Sequence, residues 1–305
     1  QTERGEYMRK KLTAVLLAAT MLLTSGVTVF ADRVDVVINK PYLALGADLS
    51  PQEQMTVLSL LGLSDINVDD YDIISITNAD EHEYLDKYLD ASIIGTRALS
   101  SVLVVGKEAG NGIHVTTKNI SYCTEGMYRN ALLTAGIEDA DITVAGPFSI
   151  SGTAALVGAI KAYETMTGEE IDDENLDAAN DELVLTGKLV EDIGDSEKAE
   201  DLMALVKQEV AENKLTSAED IQNVVDQACD QLDIQLSEEN QKQIAELMKK
   251  IEGLDLDVDK LKDQAKDLYQ KLENLDFHVD KESVGNFFTR IIDAIVKFFQ
   301  GLFGK

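Results

Sequence analysis

Two cysteines in 305 residues cannot build a disulfide scaffold. Bases are equally scarce, with 27 Lys and Arg against 56 Asp and Glu and a net charge of −29. That balance excludes a general affinity for nucleic-acid backbone, which needs clustered cations. No G-x-x-x-x-G-K-[ST] phosphate loop occurs, and Gly106, Gly110 and Gly112 have neither its spacing nor a helix after them. The three histidines, His82, His114 and His278, are scattered, and His82-Glu83 has no second His four residues on, which excludes the zinc-protease motif. Tryptophan is absent. No apolar run is long enough to span a bilayer comfortably. What is present is a 45 % hydrophobic share, enough to fill a core and to exclude wholesale disorder, over a length that suits one large domain or two modest ones.

The beginning of the chain reads as an export signal. Met8-Arg9-Lys10-Lys11 is cationic, residues 12–23 are apolar, and the stretch closes on Val29-Phe30-Ala31, with residues at the two recognition positions that suit signal peptidase. Residues 1–7 are set aside as an extension or scar, 8–31 as a signal peptide cut after Ala31, and an uncut N-terminal anchor is the alternative. No cysteine near the cut offers a lipid attachment point. Removing 1–31 takes away four bases and two acids, so the net charge moves from −29 to −31.

The fold class expected is α+β: an α/β-like N-terminal domain with a mixed sheet over 32–168, an acidic helical region over 169–283, and an amphipathic helix over 284–305. In the first, strands are read at 34–38, 42–47, 72–77, 101–105, 113–117 and 142–145, the last ending at Gly146-Pro147. Helices are read from the capping box Ser50-Pro51-Gln52-Glu53 to Leu61, and over 79–89, 124–135 and 152–166. Asn111-Gly112 marks a hairpin between the fourth and fifth of those strands. Residues 169–200 hold thirteen acids and only Lys188 and Lys198 as bases. Further on, Thr216-Ser217-Ala218-Glu219 is a second capping box. Ile244, Leu247, Ile251, Leu254, Val258, Leu261, Ala265, Leu268, Leu272 and Leu275 then recur in steps of three and four. Gly253 argues for two helices joined within a bundle rather than one rod, with a dimeric coiled coil as the alternative.

The last segment reverses the charge trend. Phe287, Phe288, Ile291, Ile292, Ile295, Phe298, Phe299, Leu302 and Phe303 recur at helical spacing beside Arg290, Lys297 and Lys305, with Asp293 the only acid from Val284 on. Such a face suits peripheral membrane contact, docking on the acidic body, or an unidentified protein or envelope partner.

Chemistry is thinner. The turn from Gly146 to Gly152 could present free backbone N–H groups to an anion, with Ser151 or Thr153 as a simple helix cap. Asp65-x-Asn67-x-Asp69 and Asp255-x-Asp257-x-Asp259 imitate the start of a calcium loop. Asp70 and Ile76 in the first, and Lys260 and Lys266 in the second, occupy the positions that need glycine and glutamate. No cofactor and no metal site is expected, and catalytic residues cannot be assigned. Cys123 and Cys229 would meet oxidising conditions after export, and whether they pair stays open.

Several runs carry a resemblance. Thr77-Asn78-Ala79-Asp80-Glu81 with Tyr84-Leu85, then Ile94-Gly95-Thr96-Arg97-Ala98-Leu99-Ser100-Ser101-Val102, look like a family of exported bacterial proteins catalogued as domain of unknown function 1002. Thr117-Lys118-Asn119-Ile120, Met127-Tyr128-x-Asn130-Ala131-Leu132, Ala135-Gly136-Ile137, Ser151-Gly152-Thr153-Ala154-Ala155-Leu156, Thr186-Gly187-x-Leu189 and Leu247-Met248-Lys249-Lys250-Ile251 continue it. The resemblance implies a secreted or envelope-associated protein of Gram-positive bacteria, located outside the membrane, with no catalytic residues to carry over. The expectation is an exported, non-enzymatic binding or structural protein of the cell envelope. The alternative is a secreted hydrolase of envelope or nutrient polymers, using residues 149–153 or acids at the sheet edge. A calcium-dependent envelope protein is a third reading.

Overall fold

A computed structural model describes residues 40–262, apart from 65, 66, 169 and 255 and the side chain of residue 68. The leader, the strand expected at 34–38, the end of the helical seam and the Phe-rich segment lie outside the described residues.

Five strands form one mixed sheet: β1 Tyr42–Gly46, β2 Asp72–Ile76, β3 Ser101–Gly106, β4 Ile113–Ile120 and β5 Ala140–Ile150, in the order β2-β1-β3-β5-β4. Four run parallel to one another, and β3 alone is reversed, antiparallel to β1 and β5. The helices are α1 Pro51–Leu60, α2 Asn78–Leu85, the single turn α3 Ala91–Ile94, α4 Glu125–Thr134, α5 Thr153–Thr167, α6 Asp173–Ile193, α7 Ser196–Asn213, α8 Ala218–Leu232 and α9 Glu238–Glu252. None of the described helices is long and apolar enough to cross a membrane. The chain is α+β, as expected.

Local signals account for the helix starts. Ser50 Oγ accepts from the Glu53 N–H at 3.3 Å while Glu53 accepts from the Ser50 N–H at 2.7 Å, the reciprocal pair that the capping box anticipates. Thr77 and Asp80 make the same pair ahead of α2. That helix is shorter than the 79–89 expected, because it ends at Leu85 and α3 begins at Ala91 after an Asp90 cap.

The expected hairpin is not there. β5 lies between β3 and β4, pairing with both. Asp139, just before β5, has a carboxylate that accepts from the N–H groups of Gly110 at 3.0 Å and Gly112 at 2.7 Å. The 106–112 loop is thus tied to the incoming strand, not closed on itself. β5 also runs past Gly146-Pro147, where the sequence reading ends it. Proline has no N–H for a ladder. Pro147 is tolerated because pairing with β3 stops at Ala145 and pairing with β4 skips from Ala145 to Ile150 across a bulge at Asn119.

Alternate strand residues enter opposite layers. Tyr42, Ala44, Val102 and Val104 meet α4 and α5, whereas Leu43 lies with Val57 and Leu61 of the α1 layer. Gly158 lets α5 sit close to the sheet: a Cβ there would fall 2.8 Å from Ala44 Cβ. A second apolar cluster fills the bundle of α6 to α9, with Ile244, Leu247 and Ile251 inside it. The first three seam positions therefore face neighbouring helices of their own chain. α6 belongs to both clusters, giving Ala179 and Leu183 to one and Ala178, Leu185 and Leu189 to the other. Cys123 and Cys229 are free and buried, one in each cluster.

Candidate functional site

The parallel strands end on one edge, and each is followed by a helix start. In open sheets with parallel strands this edge is the usual place for a ligand. Here its polar side chains are consumed by one another. Thr153 Oγ1 donates to Glu81 Oε1 at 2.7 Å and lies 3.2 Å from Ser151 Oγ, while Asn78 Nδ2 donates to Glu81 Oε2 at 3.1 Å. Glu81 and Thr153 are each 1 % exposed. Burial pushes the Glu81 carboxyl above its ordinary range, opposed by the two donors. Tyr128 Oη donates to the Gly152 carbonyl at 2.5 Å, and the adjacent Cys123 thiol is pushed up to about 12 by burial.

Neither Ser151 nor Thr153 caps α5. The cap residue is Gly152 at φ 99°, with no side-chain cap. A distant residue takes over part of that role: Ser100 Oγ accepts from the Ala155 N–H at 2.9 Å. Of the hydroxyls that the hydrolase reading needs, Thr153 is turned inward as a structural link and Ser151 lies half-buried beside it, whereas Ser149 is exposed. His82 is engaged elsewhere, its Nδ1 2.5 Å from Asp86, whose carboxylate raises the imidazole's affinity for a proton.

A second polar cluster joins the sheet layer to the bundle. Lys207 Nζ donates to Glu182, to the Asn130 carbonyl and to Thr134 Oγ1, all at 3.0–3.1 Å. Thr134 in turn donates to Glu182 Oε2 at 2.5 Å. Both charged side chains are 0 % exposed. Burial pushes each toward its neutral form, and the partner's charge is what opposes that.

The open concavity lies elsewhere, where the end of α2 and the turn after it face the last turn of α5 and the first turns of α6. It is a groove of about 680 Å³. Tyr84 and Tyr88 form part of one wall, and Glu83, Glu164, Glu170, Asp173 and Glu174 contribute carboxylates. Asp173 and Glu174 occupy the first turn of α6, where helix N–H groups favour acids anyway. Glu164 accepts from the Ile171 N–H at 3.2 Å, whereas Glu83 and Glu170 have no such reason to be there. Asp177, also on the groove, is held by Lys87, Lys250 and Tyr88, and Lys250 first among these keeps its carboxyl well below the usual range. Burial raises the Tyr84 hydroxyl, and the nearby charges of Glu164, Glu83, Asp80 and Glu170 add to the effect. Among the described residues no group of three or more His, Cys, Asp or Glu converges as a metal cage.

Neither the groove nor the Glu182–Lys207 pair was anticipated. Tyr84 and Tyr88, four residues apart, are the only trace of the groove in the sequence. Glu164 and Asn180 lie 80 and 96 positions beyond Tyr84 and give no local signal. The nine docking residues expected between Phe287 and Phe303 lie outside the described residues.

A protein-family comparison matches residues 45–268 to the family described as "Protein of unknown function (DUF1002)". The chain belongs to the DUF1002 family. Its groove and its strand-end cluster both fall within the matched residues, whereas the Phe-rich segment lies beyond them. This DUF1002 chain is 37 % identical over 296 residues to the uncharacterized protein YpuA of Bacillus subtilis (strain 168), across 95 % of the chain and all of YpuA. No solved structure matches.

Proposed function

We propose that this DUF1002 protein is an exported, non-enzymatic binding protein of the bacterial cell envelope, with the groove between α2, α5 and α6 as its recognition surface. One observation carries the reading: Glu81, Thr153 and Cys123 at the strand ends are buried, the first two in a mutual hydrogen bond, while the groove opens Glu83, Glu170, Asp173 and Glu174 to solvent with no lysine or arginine partner among the described residues. A nucleophilic enzyme needs a reachable hydroxyl or thiol beside a base, and the exposed Ser149 makes no hydrogen bond to a His, Asp or Glu among the described residues. Export is supported by the cationic, apolar and small-residue layout of residues 8–31. Retention at the envelope falls to the aromatic face of residues 284–305, where three bases stand against one acid.

The test is to fractionate cells expressing the full chain and to compare liposome flotation with and without residues 284–305. Recovery outside the cytosol with a new N-terminus at Asp32, and flotation only of the longer form, are the expected results. Cytosolic recovery of an uncut chain would remove the export proposal, and equal flotation of both forms would remove membrane contact.

A further inference from the structure

The groove contains a group that packing does not explain. Asn180 lines it, is 5 % exposed, and makes no hydrogen bond through its carboxamide among the described residues. Neither polar atom of that carboxamide is fully enclosed, so both open to solvent at the groove, where water or a ligand can pair them. Here one acceptor and two donors are held ready beside a rim of carboxylates. Glu83, Glu170, Asp173 and Glu174 carry no lysine or arginine partner among the described residues.

The arrangement also selects the form of the cation. Acids on three separate stretches of chain do not converge, so they suit a ligand whose charges are spaced out rather than a single metal ion. Ile171 and Leu176 supply apolar surface between them. The two tyrosine rings already accept ammonium groups from the chain itself, Lys161 Nζ at 5.3 Å from the Tyr84 centroid and Lys87 Nζ at 5.0 Å from that of Tyr88. A volume of about 680 Å³ lies within the roughly 300–1,000 Å³ of small-molecule sites.

We infer that the groove binds a linear polyamine, its ammonium groups on the carboxylate rim and the Asn180 carbonyl, and its methylenes against Ile171, Leu176 and the tyrosines. This rests on the binding reading above and names the ligand class for that same surface.

The probe is spermine, titrated calorimetrically into the purified full chain. With a net charge of −29, diffuse attraction must be separated from a site. Two triple variants remove equal charge: Glu83→Gln/Glu164→Gln/Glu170→Gln in the groove, and Glu219→Gln/Asp230→Asn/Glu238→Gln on the exposed bundle surface. The expected result is one saturable site, weakened about tenfold or more by the first variant and less than about twofold by the second, in line with small exposed ion-pair energies that add across a site. Asn180→Leu separates a binding role from a structural one. It should leave the melting temperature unchanged or higher while weakening spermine roughly fivefold, because the amide has no internal partner to lose. Absence of a saturable site, equal losses in both triple variants, full displacement by magnesium at equal charge, or tighter binding of trilysine than of spermine would each overturn the inference. Fractionation of the groove variants keeps the two proposals apart: envelope recovery without spermine binding leaves the envelope role standing and removes only the polyamine.

Discussion

Replacing Lys207 by methionine would leave Glu182 fully buried with Thr134 as its one remaining side-chain donor. At the observed 3.0 Å, an effective dielectric of about 20 puts the lost attraction near 5–6 kcal/mol. Part of that is returned because the carboxyl can take up a proton, so the net destabilisation falls at about 3–5 kcal/mol, as for other buried pairs deprived of one member. Against a total stability of roughly 5–15 kcal/mol this is a large share. In urea it corresponds to a midpoint lower by about 1–2.5 M, for a slope of about 2–3 kcal/mol/M. The loss has a defined pH dependence. Burial already raises the Glu182 carboxyl, and without Lys207 nothing charged opposes it. The folded variant then holds a proton that the unfolded chain releases near pH 4.5. Stability therefore declines as pH rises from that value toward the folded pKa, and is regained on acidification toward about pH 5, until general acid unfolding intervenes. The double variant Glu182→Leu/Lys207→Met should recover most of the loss, because no uncompensated charge remains. Urea unfolding at pH 5 and pH 8 checks all three. A single variant costing under about 1 kcal/mol, or a double variant no better than the single, would refute the reasoning.

Other tests address separate features. Gly158→Val should lower stability by about 1–3 kcal/mol or more, since even a Cβ meets Ala44 at 2.8 Å; thermal melts followed by circular dichroism report it. Asp80, held by Lys161 first and then Thr77, has its carboxyl lowered to about 2 from 3.8, so its contribution is complete above about pH 5 and lost as pH falls toward 2. Lys161→Met should flatten that acid limb in stability measured from pH 5 to pH 2. The native Cys123 thiol, buried and pushed up to about 12, should resist iodoacetamide at pH 8 and react once the chain is unfolded, as mass spectrometry of the labelled peptide would report.

The features legible in the sequence are those written within a few residues. Ser50 with Glu53 marks a helix start that the structure reproduces bond for bond. Ile244, Leu247 and Ile251 announce a helix face that is indeed buried. Strand order was not legible, because the insertion of β5 rests on long-range pairing with both β3 and β4, accompanied by Asp139 bonding Gly110 and Gly112, 29 and 27 residues earlier. The role of Thr153 was missed for a similar reason. A hydroxyl at a helix start reads locally as a cap, but Glu81, 72 positions away, takes it. The groove is wholly a product of tertiary folding, since no one of its three stretches contains the Asn180 amide, the tyrosine pair and Glu164 together.

The double membership of α6 bears on how the protein survives. A helix that supplies side chains to two apolar clusters cannot leave one without disturbing the other. Partial openings that would expose only the bundle, or only the sheet layer, are penalised by the cluster left behind. Proteases act on such partial openings. For a chain proposed to work outside the cell with no disulfide among its described residues, that coupling would do what cross-links do in smaller secreted proteins: keep a nick from starting.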